Sequence, residues 1–184
     1  MVYSNCHQRG NSCLKHLKEE SVIVMGSKIG GVFCFDTVFV VGKRLGVYSF
    51  ATQDVEKKLM VLKKEEKLSD NFWEATIKPL LKEHIGSENR EFVLYKAATY
   101  DQKTGNGMYS FFPCKIFDKN GGFPRPKATS QWISHGMSMN YKRHVMDGKQ
   151  AKDFWESLRK DVLDSGLYLG VKVEEPNQKC VLKG

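Results

Sequence analysis

The chain has 184 residues, 41% of them apolar and 11% aromatic, which is enough to bury a sizeable core and excludes a globally disordered chain. Lys and Arg number 29 against 21 Asp and Glu, and the resulting net charge of +8 favours polyanionic partners through long-range attraction and counterion release. No stretch approaches the roughly 20 apolar residues of a membrane helix, and residues 1–8 lack the charged start and apolar run of a signal peptide, so a cytoplasmic protein with no membrane partner is expected.

In chain order, Val2–Asn5 reads as a short opening strand, followed by a polar turn and a small helix near Ser12–Glu19 with Ser12 as its cap. Ser21–Ser27 reads as a buried strand and Val32–Lys43 as the strongest strand in the chain, dense in β-branched and aromatic residues. The glycines of residues 26–31 mark a hairpin loop between them, and Val47–Phe50 predicts a third strand. Beyond Asp54 the spacing of Val55, Leu59 and Leu62 turns helical, and a second helix capped by Ser69 or Asp70 buries Phe72, Trp73, Ile77, Leu80 and Leu81, with Pro79 expected to kink it or to end its first half. Strand character returns at Glu91–Tyr100 and Met108–Phe117, joined by the turn formers of residues 101–107. Residues 118–127 read as an irregular exposed loop. A last helix places Ala151, Phe154, Trp155, Leu158 and Val162 on one face, with Gly166 to end it, before a closing strand over Leu167–Val173. The expected fold is a single α+β domain, a mixed and largely antiparallel sheet or small β-barrel covered by helices, with a helical insertion at about residues 54–86.

The five cysteines, Cys6, Cys13, Cys34, Cys114 and Cys180, are an odd number and read as reduced thiols. No Cys-x-x-Cys occurs, and the adjacent Cys6 and His7 do not place both side chains on one ion, so neither a metal nor another cofactor is expected. The glycine-rich loop at residues 26–31 leads into a strand and lacks Walker spacing, so it reads as a tight hairpin, with an anion contact through Lys28 as the alternative. Asp36 interrupts an apolar run, on a face shared with Cys34, Val38 and Val40; a carboxylate there needs a partner or water, and it reads either as a structural group paired with Lys or Arg or as part of a cleft.

Tyr109, Phe111, Phe112, Phe117 and Phe123 share a segment with Lys115, Arg125 and Lys127, the mixture in which ring faces stack bases while cations follow phosphates. The same rings read equally as a core strand. Trp132, His135, Tyr141, Lys142, Arg143 and His144 form a second basic and aromatic stretch. The strands Ser21–Ser27 and Phe35–Val41, with Gly107–Cys114, resemble the skeleton of PUA-like domains, the group of EVE, ASCH and YTH modules. That resemblance implies a small barrel flanked by helices that binds RNA or DNA, with a modified or flipped base in an aromatic-lined pocket; the helical stretch 54–84 departs from the family pattern. Three functions follow as expectations. One is nucleic-acid binding through Tyr109, Phe111, Lys115, Arg125, Lys127, Trp132, Lys142 and Arg143. Another is an enzyme on nucleic acid or a nucleotide using Asp36 and His135, with Cys6 or Cys114 as nucleophile. The last is a protein-interaction subunit.

Overall fold

The computed structural model describes residues 1–4, 12–52, 54–87, 90–115, 122–130 and 146–172. Its elements run β1 (Val2–Ser4), a 3-10 turn (Ser12–His16), β2 (Val22–Ile29), β3 (Val32–Ser49), α1 (Val55–Glu65), α2 (Asp70–Phe72), a π-helical turn (Trp73–Ile77), α3 (Lys78–His84), β4 (Glu91–Ala97), β5 (Phe112–Cys114), α4 (Gly148–Asp164) and β6 (Tyr168–Gly170). The fold is α+β: a four-stranded sheet in the order β1-β4-β3-β2 and a two-stranded sheet of β5 and β6. The main sheet is open, so the antiparallel-sheet reading holds and the closed barrel does not. The two stretches expected as separate strands, 32–43 and 47–50, are one strand of 18 residues.

That long strand organises its surroundings. On one side β2 pairs with it antiparallel, through a turn in which Gly30 and Gly31 take φ of 58° and 83°, the left-handed backbone that a two-residue hairpin requires. Gly26 lies within β2 rather than in the turn, at a bulge: Met25 faces Thr37, Gly26 faces Phe35, and Asp36 is left with no residue opposite. A methyl group on Gly26 would come within 2.7 Å of Phe35 Cα, so only glycine fits that close approach. Elsewhere along β3, Val38 exchanges backbone hydrogen bonds with Phe111, and the backbone of residues 126–128 meets Phe33 and Phe35.

The described residues fall into two compact units. One comprises Met1–Val2, His16–Arg44 and Tyr95–Lys172. Its core gathers Phe35, Val38, Val40, Met108, Phe111, Trp155, Leu158 and Val162. Helix α4 supplies the last three from the apolar face read in the sequence, and it starts from a capping box between Asp147 and Gln150. Gly166, at φ 70°, sits just past its end. Tyr95 is fully buried; desolvation raises its phenol above the ordinary value, and its oxygen accepts the Leu17 N–H at 3.2 Å.

The other unit comprises Leu45–Leu94 with the described residues of 3–15. Val55, Leu59 and Leu62 of α1 are buried at the predicted spacing, and Ser69 caps the next helix by accepting the Phe72 N–H. Pro79 stands in the first turn of α3, directly after the π-helical turn. It has no N–H to give, and the preceding turn widens so that the Lys78 N–H reaches the Trp73 carbonyl. Phe50 stacks on Phe92 at 5.0 Å and meets the ring of buried His84 at 5.4 Å. Arg90 donates to His84 Nδ1 at 2.8 Å; because a guanidinium is only a donor, the other ring nitrogen carries the proton.

Candidate functional site

Of the strand expected over Met108–Phe117, the described residues form β5 at Phe112–Cys114 and an isolated bridge at Phe111, and the aromatic segment 109–111 folds inward. Phe111 is fully buried and Tyr109 is 7% exposed, so neither presents a free face for stacking, which corrects that part of the expected site. The reason is their packing: Phe111 pairs with Val38 at the centre of β3, and both rings stand edge-on to Trp155, at 6.2 and 5.1 Å. Trp155 Nε1–H in turn donates to the Tyr109 carbonyl at 2.8 Å, fixing this segment to α4. Phe112 points the other way, but its ring lies against Gly170 of β6.

Asp36 is turned outward, because the bulge breaks the alternation that put it with Cys34, Val38 and Val40. Its carboxylate faces the Arg125 guanidinium at 3.5 Å, and Arg125 also donates to Ser27 Oγ at 2.9 Å. Asp36 is thus an ion-paired residue beside a strand bulge. Arg125 and Lys127 are brought together on the wall of an open groove of about 790 Å³, whose opposite wall is α4. Lys115 is exposed. Trp132, His135, Tyr141, Lys142, Arg143 and His144, like Cys6, lie outside the described residues. Cys114 directs its thiol to the Tyr168 carbonyl at 3.5 Å. Among the described residues, no three His, Cys, Asp or Glu side chains converge as a metal site, and no helix is long and apolar enough to cross a membrane.

A second concavity, of about 260 Å³, combines cations with aromatic rings. Tyr109 and Trp155 form its floor, and Tyr100, half exposed, stands at its edge against Tyr109 at 5.1 Å. The Lys103 ammonium lies 4.5 Å from the Tyr100 ring centre and 5.7 Å from that of Tyr109. From α4, the Arg159 guanidinium lies 4.9 Å over Trp155, and Lys152 joins the rim. Cations held over ring faces in this way gain about 0.5–2 kcal/mol each, more where water is excluded. Against three cations the notch carries one carboxylate, Glu156, which pairs with Arg159 at 2.7 Å.

Sequence reading missed this site because Lys103 reads as a turn residue and Trp155 as core. The available signal was on α4: Lys152, Glu156 and Arg159 recur at i, i+4 and i+7, one polar stripe beside Trp155. The notch loop is held from a distance. Glu20, in the left-handed region at φ 71°, accepts the Asn106 N–H at 3.0 Å and its side-chain amide at 2.6 Å. A non-glycine residue keeps such a backbone only where its surroundings enforce it. Glu20→Ala is therefore expected to speed amide exchange at Asn106 by about tenfold or more through local opening; unchanged exchange would show that the loop holds itself.

Comparison with family models, with curated proteins and with solved structures gave no match.

Proposed function

We propose that the chain is a nucleic-acid-binding module that contacts RNA or DNA at the notch between the 100–109 segment and α4. The observation that carries this reading is the placement of Lys103 over Tyr100 and of Arg159 over Trp155 in one concavity. A phosphate chain crossing the rim meets Lys103, Lys152 and Arg159, and as Lys103 moves onto a phosphate the half-exposed Tyr100 ring becomes a stacking face for a base. A volume of about 260 Å³ falls under the ~300–1,000 Å³ of drug-sized sites and suits a single flipped base, modified or not, as the PUA-like resemblance implies. The net charge of +8 adds long-range attraction.

The test is anisotropy titration of a labelled single-stranded oligonucleotide against the wild-type chain and the Lys103→Glu/Arg159→Glu double variant. Affinity at low salt is expected to fall about tenfold or more, and the slope of log K against log salt to become shallower by about 1–2, as counterion release from two phosphate contacts is lost. Equal affinity and slope in the two proteins would remove the notch as the binding site.

A further inference from the structure

Three rings meet along the notch. Tyr100 and Trp155 each stand edge-on to Tyr109, at 83° and 77°, with ring centres 5.1 Å from it, so the outer two lie no more than two such steps apart. Each outer ring is capped by a cation: Lys103 lies 4.5 Å from the centre of Tyr100, and the Arg159 guanidinium 4.9 Å from that of Trp155. Tyr100 is half exposed beside its lysine, whereas Trp155 is only 2% exposed.

The cover over Trp155 is a side chain of its own helix, one turn on. It is weakly held. Arg159 Nη1 donates to Glu156 at 2.7 Å, in an ion pair whose carboxylate side chain is 46% exposed and so shares its charge with water. Arg159 Nε is buried and has no hydrogen-bond partner among the described residues, so the position over the ring leaves a donor unsatisfied. A guanidinium presents Nε–H and Nη2–H side by side along one edge, a fork that grips two oxygens of a phosphate. The bond to Glu156 is made by Nη1, outside that edge. Turning onto a phosphate therefore gives Nε the acceptor it lacks, and it uncovers Trp155 without moving it. The indole is held independently, by its Nε1–H on the Tyr109 carbonyl at 2.8 Å and by edge-on contact with Phe111 at 6.2 Å.

We propose that Arg159 is a latch over a second stacking face: as it turns onto a phosphate, Trp155 receives the base next to the one stacked on Tyr100. The inference rests on nucleic-acid binding at the notch, whose volume of about 260 Å³ with Arg159 in place suits one base, and adds a second base to it.

The experiment is photocrosslinking of the full chain to single-stranded oligonucleotides, one RNA and one DNA, carrying 5-bromouracil, which joins to aromatic rings it lies against. Peptide mass spectrometry locates the joined residues, and anisotropy gives the affinity of the same samples. Adducts at both Tyr100 and Trp155 are expected in the wild type. Arg159→Ala keeps a strong helix former in α4. It is expected to raise the yield at Trp155 relative to Tyr100 by about threefold or more, since no cation competes with the base for the ring, while affinity at low salt falls with the lost phosphate contact. Adducts at Tyr100 alone in both proteins would overturn the latch and leave binding at the notch standing. Trp155 adducts that appear only in the variant would do the same, because Arg159 would then be a fixed cover. Binding with neither ring joined, or no binding at all, would overturn the notch reading and the latch together.

Discussion

Phe111→Ala is expected to lower folding stability by about 3–5 kcal/mol, the cost of emptying a fully buried aromatic site that its neighbours refill only in part. Phe111 is at the meeting point of β3 and α4: its backbone exchanges two hydrogen bonds with Val38, at 2.9 Å each, and its ring is edge-on to both Tyr109 and Trp155. A loss of that size is a large share of the roughly 5–15 kcal/mol that holds a typical domain together. Urea unfolding followed by Trp fluorescence measures it. The result separates two roles for this ring. A core ring costs stability when removed, whereas a stacking platform costs oligonucleotide affinity with stability nearly intact, and that second pattern would contradict the packing described above.

Ser110→Ala, the deletion of one oxygen, is expected to cost about 1–3 kcal/mol, the penalty for leaving a buried donor without a partner. The Ser110 hydroxyl accepts the Val40 N–H at 2.8 Å and donates to the Val40 carbonyl at 3.2 Å, standing in for a backbone partner in the middle of the sheet. The two halves of that exchange are not equal in consequence. Val40 O also receives the Ala98 N–H at 2.8 Å and keeps a partner in the variant, whereas the Ser110 hydroxyl is the acceptor seen for the Val40 N–H among the described residues, and water does not reach this residue, which is fully buried. Substitution by Cys, a weaker acceptor of similar size, is expected to fall between the two. Equal denaturation midpoints for wild type and Ser110→Ala would mean that Val40 finds another acceptor.

The longer elements were legible because each is written in a local period, whereas the helix expected over Ser12–Glu19 is a 3-10 turn at Ser12–His16 and the strand expected over Met108–Phe117 is β5 at Phe112–Cys114. The run from Val32 is β-branched and aromatic along its length, and it is a strand. Val55, Leu59 and Leu62 repeat at helical spacing, and they are the buried side of α1. Phe154, Trp155, Leu158 and Val162 mark the inward face of α4 in the same way. Ser69 and Gly166 sit where helix caps and stops are chemically favoured.

What tertiary structure decided was every feature that depends on register or on residues far apart in the chain. Whether Tyr109 and Phe111 stack bases or fill a core follows from the bridge of Phe111 to β3 and the closure of both rings by Trp155 of α4, about which a period of two says nothing. Asp36 is outward because β2 pairs one residue short at Gly26, an offset visible only in the paired strands. The notch joins Lys103 and Tyr100 to Lys152 and Arg159, some fifty residues later, and the groove joins Lys127 to Asp164. Local sequence sets the backbone conformation of each segment, because propensity and burial act over a few residues; which side chains then share a surface is set by long-range packing, which no window of the sequence contains.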